Sequence, residues 1–210
     1  MAARPEPASD AVVASWIADE LSTRDPFAAV AAASDMHRAS HAGCQVYPSV
    51  SGHLLGVLAA TAGARRILEI GGGLGYSTLW LAHGAGSAAT VDTIEADPAH
   101  AGLLRSHATS HGLPARIVVH EGADRDILSG LAGPYDLLFY DAAIPGPWLI
   151  PHAERLLRVG ALFVASNVFL ARYEPDHPGL EDGAQFRQAM LDNPAWLTAF
   201  ANAKLIAVHR

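Results

Sequence analysis

Glu69, Glu95 and Asp141 each stand at the end of an apolar run, and glycines follow the first of them at alternate positions, Gly71, Gly73 and Gly75. A carboxylate at a strand end, facing a bend without side chains, suits a cationic or amine-bearing ligand and repels a diphosphate. The glycines leave no Cβ in a ligand's path and permit positive φ. A dinucleotide fingerprint counted from Gly71 needs a third small residue at position 76, where the chain has Tyr76. The register that fits is therefore Glu-x-Gly-x-Gly-x-Gly from Glu69. Glu95 stands where a carboxylate takes both hydroxyls of a ribose. The segment Gly122, Ala123, Asp124 allows close approach and can meet an adenine edge, open a helix, or do both.

The elements that must hold these groups alternate along the chain. Residues 67–70 read as a strand that breaks on glycine, and helical spacing resumes at Leu79 and Ala82. Further strands are expected over 88–95, 115–120, 135–140 and 161–166. Asp97 caps a helix with Pro98 at its first position, and 147–157 and 180–191 read as helices. Residues 196–200 and 205–208 pair as a hairpin with Asn202 at the turn. Before the first strand, Ser9 or Asp10 starts a helix with Val13, Trp16, Ile17 and Leu21 on one face. Asp25 and Pro26 start a second helix running to about His37, and 52–60 a third. These helices are expected over the mouth of the sheet as a lid.

Hydrophobic residues make up 50% of the 210 and charged residues 17%, which favours a folded chain over a disordered one. The formal charge of -7, with positive residues scattered along the chain, disfavours a nucleic-acid partner. No run reaches the roughly 18 apolar residues of a membrane span. Residues 1–9 lack the apolar centre of a secretory signal, and the single Cys44 excludes an internal disulfide framework. A cytoplasmic protein without a membrane partner is the expectation.

The motif from Glu69 to Ser77 resembles motif I of the S-adenosylmethionine (SAM)-dependent methyltransferases. Residues 68–82, 93–98, 122–126, 135–141 and 156–168 are similar, in order, to the catechol and caffeoyl-CoA type of small-molecule O-methyltransferase. The resemblance implies an α/β fold: a Rossmann-like, doubly wound, seven-stranded sheet with one antiparallel edge strand, an N-terminal helical lid and a C-terminal β-hairpin. A single domain follows, with a flexible tail at 1–9, lid helices at 10–62 and the SAM-binding core at 63–210. It implies SAM as cofactor, S-adenosylhomocysteine as product, a small hydroxylated acceptor and a homodimer. Carried over by position, Tyr47, Glu69, Gly71, Gly73, Tyr76, Ser77, Glu95, Gly122, Ala123, Asp124 and Asp141 form the cofactor set.

Two departures alter the expected chemistry. The family reads Asp-Ala-Asp-Lys after the fourth strand, where this chain reads Asp141, Ala142, Ala143, Ile144, so the lysine taken as base is absent. After the fifth strand the family's Ala-Asp-Asn is Ala165, Ser166, Asn167. A hard divalent cation loses most of its carboxylate attraction there, and no catalytic metal is expected. His37 and His41, four apart on one helical face, are candidates to replace the base, with a pair of surface histidines as the alternative. His100, His107 and His111 are expected at the surface. His177, Trp148 and Tyr173 could line an acceptor pocket. The rival function is a SAM-binding protein that has lost catalysis and serves as a sensor or partner subunit.

Overall fold

Alternation within Ile67, Leu68, Glu69 and Ile70 sends successive side chains to opposite faces of a sheet. Leu68 and Ile70 enter one apolar cluster with Leu138, Tyr140 and Phe163, whereas Ile67 enters another with Leu137, Phe139 and Val164. The computed structural model describes residues 10–48, 52–170, 176, 178–201 and 203–210. Its strands are β1 (Arg66–Ile70), β2 (Thr90–Glu95), β3 (Arg116–Glu121), β4 (Tyr135–Tyr140), β5 (Leu157–Ala165), β6 (Trp196–Ala201) and β7 (Lys204–His209). They form one sheet in the order β3-β2-β1-β4-β5-β7-β6, parallel from β3 to β5.

The hairpin is present, but its antiparallel strand is not the edge. β7 runs antiparallel to β5 on one side and β6 on the other. Leu205 and Ala207 are buried, whereas Leu197 and Phe200 of β6 are exposed, so the more apolar strand takes the interior place. Asn202, expected at the turn, lies outside the described residues.

The helices are α1 (Asp10–Ser22), α2 (Ala28–Ser40), α3 (Gly52–Thr61), α4 (Tyr76–Ala85), α5 (Pro98–His111), α6 (Asp124–Gly130), α7 (Leu149–Leu156) and α8 (Leu180–Asp192). α2 starts later than the Asp25-Pro26 signal suggested. Asp25 Oδ1 accepts from Phe27 N at 2.8 Å, closing a turn before the helix. Phe27 then packs edge-on against Trp80 of α4, with ring centroids 5.3 Å apart. α3 lies so close to α4 that a Cβ on Gly84 would stand 2.0 Å from the Gly56 carbonyl oxygen. α2 and α3 thus share the apolar cluster on one sheet face with α4. The end of α2 and the strap after it, residues 41–48, reach the mouth, where Val46 would lie 3.4 Å from a Cβ on Gly73. On α1, Trp16 and Ile17 are exposed rather than packed. Among the described residues no helix is long and apolar enough to cross a membrane.

Candidate functional site

The carboxyl ends of the parallel strands form one hydrogen-bonded row. Gly122 N donates to Glu95 O at 3.0 Å, Gly71 N to Ile94 O at 2.9 Å, Asp141 N to Ile70 O at 2.8 Å and Ser166 N to Tyr140 O at 2.9 Å. Ladder bonding therefore places Glu95, the glycine bend, Asp141 and Ser166 side by side. β1 lies between β2 and β4, so Glu95 and Asp141 flank the bend about 10 Å apart at the usual strand spacing. In open α/β sheets this edge, where the strand order reverses, is the ligand crevice.

The bend requires its glycines. Gly71, Gly73 and Gly75 all have positive φ, and a Cβ on Gly71 would stand 2.7 Å from Ala142 N. Glu95 secures the bend from the β2 side, its Oε2 accepting from Gly73 N at 2.7 Å and its Oε1 from Asp97 N at 2.9 Å. Each carboxylate oxygen retains acceptor capacity for a ligand hydroxyl.

Glu69 is fully buried beneath the bend. Its Oε2 accepts from the hydroxyls of Thr78 and Thr93, tying β1 to α4 and β2. Its Oε1 has no partner in hydrogen-bonding geometry among the described residues. Burial pushes this carboxyl up from 4.5 to about 7, against the pull of the Ser77, Thr78 and Thr93 hydroxyls. Because the folded state holds this proton more tightly than the unfolded chain, the group stabilises the fold fully below pH 4.5 and loses that contribution as pH rises through about 7. The full swing is on the order of 3 kcal/mol. Glu69→Gln, whose carbonyl can still accept from both threonines, is expected to flatten the dependence of Tm on pH in the absence of ligand. An unchanged slope would show that Glu69 is ionised in the fold.

Tyr76 and Ser77 open α4 and are both buried. The Tyr76 hydroxyl donates to Asp25 Oδ2 at 2.6 Å, so it joins α4 to the segment before α2 and turns from the crevice. Burial and the Asp25 carboxylate push this phenol well up. Tyr47 is exposed on the strap, with the Arg38 guanidinium 4.5 Å over its ring. Gly122, with φ of 140°, and Ala123 precede α6, whose first residue is Asp124.

Asp141 faces a group that sequence reasoning missed. Its Oδ1 accepts from Asn167 Nδ2 at 3.2 Å. Lys204, 7% exposed, donates from Nζ to Ser166 Oγ at 2.9 Å. Burial pushes Asp141 up to about 6, opposed first by the Lys204 charge and then by the Ser166 and Asn167 hydrogen bonds. Burial likewise lowers Lys204, opposed by Asp141. β7 pairs Leu205 with Ala165, which sets Lys204 opposite Ser166. Only that pairing reveals the lysine, because along the chain it reads as a turn residue. These donors do not fit a hard divalent cation: Ser166 Oγ receives an ammonium, and Asn167 presents its amide N–H to the one carboxylate. Ile144, where the family has its lysine, is packed near α8; a Cβ on Gly183 would stand 2.8 Å from it.

His37 and His41 are stacked with ring centroids 4.0 Å apart, as their spacing implied. They lie on the β2 side of the crevice, where His37 Nε2 stands 3.2 Å from His100 Nε2, and not beside Asp141. Burial and the neighbouring His41 and His100 lower His37. The three histidines expected at the surface all turn inward, and the His111 ring packs edge-on to Phe27 with centroids 5.4 Å apart. The His100 side chain is 12% exposed, and His107 Nδ1 donates to Leu74 O at 2.8 Å. The reason is that α5 leans on the bend, with Leu104 beside Gly72 and Gly75. Trp148 is half-buried with Arg125 4.5 Å over its ring. Tyr173 and His177 lie outside the described residues.

Residues 68–167 match the family model described as a methyltransferase domain. The chain is 35% identical over 163 residues to a catechol O-methyltransferase of Niastella koreensis, covering 73% of this chain and 71% of that protein. Its backbone superposes on the crystal structure of cofactor-bound Rv0187 from MTB with a TM-score of 0.77 and 32% identity, covering 98% of this chain and 99% of that one. It also superposes on the O-methyltransferase TomG from Streptomyces achromogenes, solved in complex with SAM. There the TM-score is 0.78, the identity 27%, and the cover 96% of this chain and 99% of that chain.

Proposed function

The chain belongs to the class I SAM-dependent O-methyltransferases, and from that premise we propose that it methylates a hydroxyl of a small acceptor without a divalent cation. The observation that carries the reading is the row at the sheet edge: Glu95 on one side of the glycine bend, and Asp141 with Asn167, Ser166 and Lys204 on the other. SAM, when bound, supplies an electrophilic methyl group on a sulfonium.

Glu95 would hold the ribose hydroxyls, and Gly122, Ala123 and Asp124 the adenine edge. Gly71 and Gly73 keep the space between clear. Tyr76 and Ser77 would offer backbone N–H groups at the start of α4, since the tyrosine hydroxyl is engaged with Asp25. Glu69 braces the bend from below, and Tyr47 belongs to the strap that borders the crevice. With the nucleoside over β2 and β3, the reacting end falls toward β4 and β5. There Asp141 favours a positive charge, and Lys204 would provide a fixed cation for the acceptor oxygen, whose proton passes to solvent as the C–O bond forms and the sulfonium C–S bond breaks. His37 and His41 lie on the nucleoside side, which favours Lys204 over them as the group acting at that oxygen. A cytoplasmic setting fits the free thiol of Cys44, and the homodimer fits the exposed Trp16 and Ile17 on α1.

The test is release of S-adenosylhomocysteine with a panel of phenols and catechols, with and without EDTA. Turnover of at least one catechol, unchanged by EDTA, is the expected result. Tight SAM binding without turnover across the panel would instead favour the lapsed-enzyme reading. Activity that vanishes with EDTA and returns with Mg²⁺ would overturn the metal-free part.

A further inference from the structure

We propose that His37, Cys44 and His100 form a binding site for a borderline-soft transition-metal ion, with Zn²⁺ as the natural occupant, separate from the Asp141 end of the crevice. The three residues come from the last turn of α2, the strap and the first turn of α5. Their ligand atoms all lie within 4.8 Å of one another. His100 Nε2 stands 3.2 Å from His37 Nε2 and 3.6 Å from Cys44 Sγ. With metal–nitrogen bonds near 2.0 Å and metal–sulfur bonds near 2.3 Å, tetrahedral ligands sit roughly 3.3–3.6 Å apart. The two separations from His100 Nε2 are already of that size, and the third pair, His37 and Cys44, lies within 4.8 Å.

Hydrogen bonding accounts poorly for this convergence. His100 Nε2 faces both a nitrogen and a sulfur, and a ring nitrogen with one proton or one lone pair can serve only one of them well. A cation at the common point serves all three ligands, with the Cys44 thiol giving up its proton to solvent on coordination. A thiolate with two imidazoles selects Zn²⁺ or Co²⁺ over Mg²⁺ and Ca²⁺, which prefer oxygen.

The surroundings fit the same role. His100 Nδ1, on the far side of the ring, lies 3.7 Å from Glu95 Oε1, so a carboxylate faces the ligand imidazole from behind. His41 stacks on His37 and its Nδ1 approaches the His37 carbonyl at 2.9 Å, fixing the end of α2. Three protein ligands leave a fourth position for water. An ion there would staple the strap to α5 beside the carboxylate that secures the glycine bend.

The experiment is titration of chelator-treated, desalted full-length protein with Co²⁺ and Zn²⁺, without cofactor. One equivalent of Co²⁺ is expected to give a thiolate-to-cobalt charge-transfer band and visible bands of tetrahedral intensity, both bleached by Zn²⁺. Cys44→Ser should abolish the charge-transfer band, and His37→Ala or His100→Ala should weaken Zn²⁺ binding by about 100-fold or more. Zn²⁺ should raise the Tm of the wild type and not that of Cys44→Ser. The chain has eleven histidines, so His83→Ala serves as a control expected to bind as the wild type does. Absence of the charge-transfer band, or Zn²⁺ affinity unchanged in all three cluster variants, would overturn the assignment. Because no acceptor or SAM is present, either outcome is independent of the methyl-transfer proposal.

Discussion

Lys204→Met is expected to lower kcat by about 100-fold or more while leaving S-adenosylhomocysteine affinity close to the wild-type value, since a preorganised charge at a reacting oxygen contributes about that much. The substitution keeps an unbranched side chain of similar length at a buried position and removes only the ammonium. Lys204 lies at the β5–β7 pairing, beyond the strands that would carry the nucleoside, so cofactor binding should survive. Its loss leaves the half-buried Asp141 without the cation that opposes its upward shift, so Asp141 becomes more protonated and a matched Tm measurement is part of the experiment.

The stronger form of this prediction restores what the family has and this chain lacks. Lys204→Met combined with Ser166→Asp places two carboxylates and Asn167 about a space freed of the ammonium, a donor set a hard cation accepts. The double variant is expected to recover activity only with Mg²⁺ and to lose it with EDTA, whereas the wild type responds to neither. Equal kcat in Lys204→Met and wild type would remove the lysine from the mechanism.

Glu95→Ala should weaken binding of SAM and S-adenosylhomocysteine by about 10- to 150-fold, corresponding to the ~1.5–3 kcal/mol of hydrogen bonding to a charged acceptor. Two effects act together. The ribose hydroxyls lose their acceptor, and Gly73 N and Asp97 N lose the bonds that hold the bend in its ligand-ready form. Glu95→Gln separates them, because one oxygen remains to accept from Gly73 N while the charge is gone. An intermediate loss is expected by calorimetry. Wild-type affinity in Glu95→Ala would mean that the nucleoside does not lie over β2.

Much of this was legible in the residues taken along the chain. The bend announces itself because glycines on one local stretch, after an apolar strand, satisfy constraints that involve only near neighbours. Glu95 and Asp141 were found the same way, each at the end of an apolar run. The parallel core followed from strand and helix signals in strict alternation, which short-range periodicity records well. α2 starts two residues beyond the position its Asp25-Pro26 signal marks, because the Asp25 side chain closes a turn before the helix.

Tertiary structure decided the rest, because the remaining facts depend on pairing between distant segments. Lys204 stands 38 residues from Ser166 along the chain, and only the antiparallel register of β7 on β5 brings its ammonium to that hydroxyl. His37 and His100, 63 residues apart, meet because α5 leans on the glycine bend while the end of α2 crosses the same edge. Local sequence fixes which side chains a strand end or helix turn offers. Which two ends face each other is set by sheet order and by the burial of Leu205, Ala207 and Leu104, an energy no single segment contains.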